Sequence, residues 1–102
     1  MKYKQRGEYY KYPDIIEEEN IWKEGEDFPS WLLDQVKIVK ITDEGKYILD
    51  YSTDSDGGLI IKSQRGGTLV VLPKDGYLIY SKDKGILGIT EKQLYLLYEE
   101  EK

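Results

Sequence analysis

The chain has 102 residues, 39% of them hydrophobic, with 15 Lys and Arg against 20 Asp and Glu, no Cys and no His. That length fits one domain able to bury roughly 65% of the surface its unfolded form exposes. Without Cys there are no disulfides and no thiolate chemistry, without His the commonest general base and metal ligand are missing, and a net charge of −5 argues against non-specific nucleic-acid binding.

Residues 1–13 interleave Lys2, Lys4, Arg6 and Lys11 with Tyr3, Tyr9, Tyr10 and Tyr12. The segment is basic but has no apolar stretch behind it, so no signal peptide is expected. Glu8 to Tyr12 reads as an edge strand ended by Pro13, its tyrosines packing on a sheet. A nucleic-acid stacking platform is the weaker reading, because such platforms sit in cationic grooves.

Residues 14–27 turn acidic, with Asp14, Glu17, Glu18, Glu19, Glu24, Glu26 and Asp27 against Lys23 alone. Neither period two nor period 3.6 fits Ile15, Ile16, Ile21 and Trp22, so an irregular loop with a helical turn is expected, pinned by Trp22. The acids read first as a solvated face, and second as a ligand for a basic surface on a partner, where charge steers association.

Phe28 to Val36 predicts a short helix, with Pro29 at its first position, Asp27 at its cap and Leu32, Leu33 and Val36 on one face. Trp31 is expected in the core. Val36 to Thr42 reads as a strand whose Ile38-Val39 doublet predicts a bulge or a twice-buried segment. Asp43-Glu44-Gly45 turns the chain into a strand over Lys46–Tyr51. Asp54-x-Asp56-Gly57 has a fragment of calcium-loop spacing without the downstream Glu, so it reads as a plain turn.

A meander follows. Leu59–Ser63 and Thr68–Leu72 flank Gln64-Arg65-Gly66-Gly67, a hairpin turn. Pro73-Lys74-Asp75-Gly76 leads into Tyr77–Ser81, and Lys82-Asp83-Lys84-Gly85 into Ile86–Ile89. Thr90 and Gln93 form a capping box for a final helix with Leu94, Leu97 and Tyr98 on one face, expected to end near Tyr98 and leave Glu99–Lys102 as a frayed tail. The expected fold is α+β: six or seven strands in a strongly twisted antiparallel sheet, or a small partly open barrel, with two short helices. It divides into a strand and acidic loop over 1–27, then a helix, meander and closing helix over 28–98.

No Walker loop, dinucleotide-binding glycine motif or His-Glu-x-x-His is present. Gly57-Gly58 and Gly66-Gly67 sit between strands and open no helix, so they are turn glycines. Paired carboxylates for glycoside hydrolysis would need a cleft that a small sheet domain lacks. The expectation is a non-enzymatic protein with no cofactor and no metal. No apolar run approaches the length of a membrane span.

The order of Met1-Lys2-Tyr3-Lys4, Pro29-Ser30-Trp31-Leu32, Leu59-Ile60-Ile61-Lys62-Ser63 with Gly66, Tyr77-Leu78-Ile79, Lys84-Gly85 and Tyr98-Glu99 resembles the small "PGDYI" proteins of tailed phages and prophages, chiefly of Gram-positive hosts. The likeness covers about two-thirds of the chain. It departs at the signature, where Pro73-Lys74-Asp75-Gly76-Tyr77 is one residue longer than Pro-Gly-Asp-Tyr, at an apparent insertion over 43–57, and in the acidic 14–27 segment. The resemblance implies a phage accessory protein in the host cytoplasm, and it carries no catalytic residues. Together with the acidic balance it points to a protein that binds and blocks a host factor, an immune nuclease such as a CRISPR effector being one example. The expected contact surface is Tyr9, Tyr10, Tyr12, Glu17, Glu18, Glu19 and Trp22, with aromatics as anchors and acids occupying a cationic channel. The alternative is a small-ligand-binding or structural phage module that forms a homodimer through its sheet edges, with an anion beside Arg65 as one candidate ligand.

Overall fold

A computed structural model describes residues 1–101 of the chain; Lys102 lies outside the described residues. Strand β1 (Lys2–Gln5) lies between β2 (Ile15–Glu17) and the C-terminal β11 (Tyr98–Glu101), antiparallel to both. A 3-10 turn over Glu18–Asn20 carries the chain out of this sheet into β3 (Ile21–Trp22). That strand pairs with β9 (Tyr77–Ser81), which pairs on its other side with β10 (Gly85–Ile89). After α1 (Ser30–Leu33), β4 (Ile38–Ile41) and β5 (Tyr47–Leu49) form a two-stranded ribbon. The remaining sheet runs β6 (Tyr51–Thr53), β7 (Leu59–Lys62), β8 (Thr68–Leu72), and α2 (Glu91–Leu97) precedes β11.

The fold is therefore β-rich with two short helices, and every strand pairing is antiparallel. The expected single twisted sheet or partly open barrel is not what forms: the described residues make four small open sheets, with eleven strands rather than six or seven. The meander strands fall where turn chemistry puts them. Gly66 and Gly85 take positive φ at their turns, and Asp75 does so at φ 55°. Asp54 Oδ1 accepts from the amides of Asp56 and Gly58 at 2.9 and 2.8 Å, so that carboxylate serves its own turn. The doublet at Ile38-Val39 is a bulge: Ile38 faces Leu49 and Lys40 faces Ile48, leaving Val39 extra.

Three further expectations fail, at the N-terminus, the tail and the first helix. The first strand is Lys2–Gln5, and residues 8–12 are a turn-rich loop. The expected frayed tail is β11, because Lys2 and Lys4 stand opposite Glu101 and Glu99 in register. Arg6 adds a clamp: its Nε donates to the Tyr98 carbonyl at 3.0 Å, and its guanidinium lies 3.7 Å from the Glu99 carboxylate. The first helix is one turn, shorter than 28–36, with Pro29 as its extended cap.

Two apolar clusters form. The first gathers Trp22, Leu32, Val36, Leu49, Ile61, Val70, Leu72 and Leu78, and the second Ile16, Ile79, Ile89, Leu94 and Tyr98. Leu78 and Ile79 are neighbours on β9, and successive strand side chains point to opposite faces, so β9 is the wall between the clusters. Where the ribbon leaves the body, three backbones close a ring. The Asp50 amide donates to the Lys37 carbonyl (2.8 Å), that of Lys62 to Asp50 (3.0 Å), and that of Lys37 to Lys62 (3.1 Å). No helix is long and apolar enough to cross a membrane among the described residues.

Candidate partner-binding surface

The β1–β2 hairpin positions most of the expected contact residues. Its loop is held from within by Gln5, which is buried. The Gln5 amide nitrogen donates to the Tyr9 carbonyl at 3.1 Å, and its oxygen accepts from the Tyr9 amide at 3.0 Å. The pair of bonds satisfies both ends of a buried amide and fixes the loop. Tyr12 adds its own amide bond to the Tyr9 carbonyl at 3.0 Å. From below, the buried Tyr98 hydroxyl donates to the Pro13 carbonyl. Burial pushes the Tyr98 phenol from 10.0 up to about 12; Gln5 acts in the opposite sense, and Tyr12 and Asp14 raise it further.

The tyrosines differ in what they offer. Tyr10 stands 83% exposed at the loop tip, and Tyr9 is exposed beside it. Tyr12 is half-buried against the second cluster, with the Lys11 ammonium 5.7 Å above its ring. Tyr9, Tyr10 and Tyr12 line a cavity of about 350 Å³ together with Glu8, Asp83 and Lys84. The β9–β10 turn thus forms its far wall, a neighbour that sequence order does not bring near.

Glu17, Glu18 and Glu19 occupy the corner where the chain passes from the first sheet to the second, and all three are exposed. The corner is pinned from outside its own segment: Trp31 Nε1 donates to the Glu19 carbonyl at 3.0 Å, and the Trp31 ring stacks on Tyr80 at 5.4 Å. Glu18 lies 3.9 Å from the Met1 amine. The register puts Glu17 opposite Lys2, whereas the tyrosine loop follows Gln5. The acids and tyrosines therefore sit at opposite ends of the hairpin, roughly 10 Å apart along the strand. A standard footprint of about 800 Å² is wide enough to reach both.

Trp22 does not belong to this surface. It is 4% exposed, stacks on Phe28 at 5.3 Å, and donates its indole N–H to the Glu26 carbonyl at 3.1 Å. The reason is position: β3 is paired to the central β9, so its one large side chain fills the first cluster. It is packed inside and bonds the acidic loop through Glu26. Trp31, expected in the core, is only half-buried and supports the acidic corner.

Sequence reasoning missed Gln5, Arg6 and Trp31 as the groups that shape the surface. Each acts on a backbone carbonyl or amide through the tertiary fold, and polar residues of this kind carry no periodic signal. A further cavity of about 500 Å³ lies between Lys23, Glu24 and the Pro73–Gly76 turn, and includes none of the expected contact residues. No known family matches the chain, and no match arises among curated proteins or solved structures.

Proposed function

We propose that this chain is a non-enzymatic binding protein that presents its acidic corner to a cationic surface of a partner protein and blocks it. The observation that supports the reading is the corner itself. Glu17, Glu18 and Glu19 project into solvent from a turn held by Trp31 and by both flanking strands. A charged group held in place before binding loses less freedom on association. The exposed Tyr10 at the other end of the hairpin supplies an apolar anchor with a hydroxyl. The resemblance to phage accessory proteins supplies the setting: a host bacterium, with an immune nuclease as one target whose nucleic-acid channel is cationic.

The test is affinity capture from a Gram-positive host lysate with wild type and the Glu17/Glu18/Glu19→Lys variant. The expected result is a protein partner whose capture weakens as salt rises and is lost in the variant, with the melting temperature unchanged. Undiminished capture by the variant would overturn the assignment.

A further inference from the structure

At the end of the hairpin away from the acidic corner, two loops enclose the cavity of about 350 Å³. That volume lies at the small end of the range for ligand sites, enough for one side chain. Both walls are held by bonds within the chain. On the tyrosine side, Gln5 bonds both backbone groups of Tyr9, the Tyr12 amide donates to the Tyr9 carbonyl, and the Tyr98 hydroxyl donates to the Pro13 carbonyl. On the β9–β10 side, Ser81 Oγ accepts from the Lys84 amide at 3.1 Å, and Gly85 turns the chain with φ 75°. Walls set in advance lose little freedom when a guest enters.

The lining combines two kinds of group. Tyr9, Tyr10 and Tyr12 bring aromatic rings, whose faces carry negative potential. Glu8, Asp14 and Asp83 bring carboxylates against Lys84. Among the described residues, none of those three carboxylates is in an ion pair. An anion entering here meets like charge, and a neutral apolar group takes water from the carboxylates without replacing its bonds. A cation suits both rings and carboxylates. The chain already makes one such contact at this loop: the Lys11 ammonium lies 5.7 Å from the centroid of the Tyr12 ring, within cation–π range. Among cations, a guanidinium fits this lining best. Its flat face stacks on a ring while its in-plane N–H donors reach carboxylate and hydroxyl oxygens. A Lys ammonium is a compact, strongly hydrated charge that gives up more on leaving water.

We infer that this cavity takes an arginine side chain, its guanidinium stacked on the tyrosine rings and paired with the carboxylates of Glu8, Asp14 and Asp83. The inference rests on the reading above for the source of that side chain, an arginine on the cationic surface of the partner protein. Both ends of the hairpin then recognise positive charge, the acidic corner by long-range attraction and the cavity by contact.

An NMR titration of the full chain with N-acetyl-arginine amide, which carries one cation and no other charge, tests this. The expected result is saturable shifts of the amides at residues 8–14 and 81–85, with half-saturation in the millimolar range. The citrulline analogue, of the same shape but uncharged, should produce no saturable shift, and the lysine analogue should bind more weakly than arginine. Glu8→Gln combined with Asp83→Asn should weaken arginine binding about 10-fold, through lost charge-assisted bonds. Tyr10→Leu keeps apolar bulk without the ring and should weaken it about 2- to 5-fold. Glu8, Asp83 and Tyr10 are exposed, so the melting temperature should stay unchanged. The absence of saturable shifts, binding of the citrulline or lysine analogue as tight as that of arginine, or arginine binding indifferent to these substitutions would each overturn the inference. The titration needs no partner protein, so its failure and the failure of lysate capture are read separately.

Discussion

Tyr98 links the two ends of the chain at the level of a single hydroxyl. It donates to the Pro13 carbonyl, 85 residues away, from a site that is 1% exposed. Ionising it would strip that donor and bury a charge, which is why burial pushes the phenol to about 12. The sign follows from linkage. Between pH 10 and pH 12 the unfolded phenol releases its proton while the folded one retains it, so folding stability falls as pH rises through that window. The stabilisation is fully present below pH 10 and is lost as pH rises to about 12, a loss on the order of 2–3 kcal/mol. Tyr3 and Tyr77 are raised in the same direction, first by burial and then by nearby acids and Tyr95, and they steepen the trend. Tyr98→Phe should cost about 1 kcal/mol at neutral pH, from the lost hydrogen bond. It should also flatten the alkaline loss of stability, as read by denaturant titrations at several pH values.

Among the elements, β10 shows how closely the sheets approach one another. Gly88 lies inside that strand with an ordinary φ, so it is not there for a turn. A Cβ added at Gly88 would overlap the Val71 carbonyl oxygen and sit 3.1 Å from the Pro73 ring. Backbone of β8 therefore crosses directly against β10, and only a glycine allows it. Gly88→Ala must push two sheets apart and should cost about 2 kcal/mol or more, measured as a lower denaturation midpoint. The closing helix behaves differently because its determinants are local. Thr90 Oγ1 accepts from the Gln93 amide and Gln93 Oε1 from the Thr90 amide, both at 3.0 Å, within three residues of sequence.

At the scale of the molecule, β9 decides how the chain holds together. The radius of gyration is 14.0 Å with extents of 42 × 29 × 23 Å, somewhat larger than the ~13 Å radius expected of a 100-residue domain. The elongation reflects two apolar clusters side by side with β9 between them. Leu78 is fully buried in one and Ile79 in the other. Truncating either leaves a cavity, so Leu78→Ala and Ile79→Ala should each cost about 2–5 kcal/mol. Because both clusters need the same strand, they should unfold together. Trp fluorescence, which reports Trp22 and Trp31 at the first cluster, should give the same midpoint as hydrogen exchange in α2 at the second. Separated midpoints would show that the clusters melt independently.

The amino-acid sequence by itself determined what is decided within a few residues. The capping box at Thr90, the turn chemistry of the meander and the Asp54 turn depend on φ preferences and bonds spanning at most four positions. Tertiary structure alone decided which strand lies beside which, and so which side chains are left in solvent. The tyrosine-rich pattern of residues 8–12 could not be told from a strand without knowing that β1 takes β11 and β2 as neighbours, the first from nearly the whole chain length away. The acidic tail became a strand for the same reason. Trp22 and Ile41 are both apolar strand residues, yet one fills a cluster and the other faces water. Their own sequences hold no difference that says so. Burial belongs to the partner across the sheet, and that partner is chosen by the whole chain's packing rather than by local pattern.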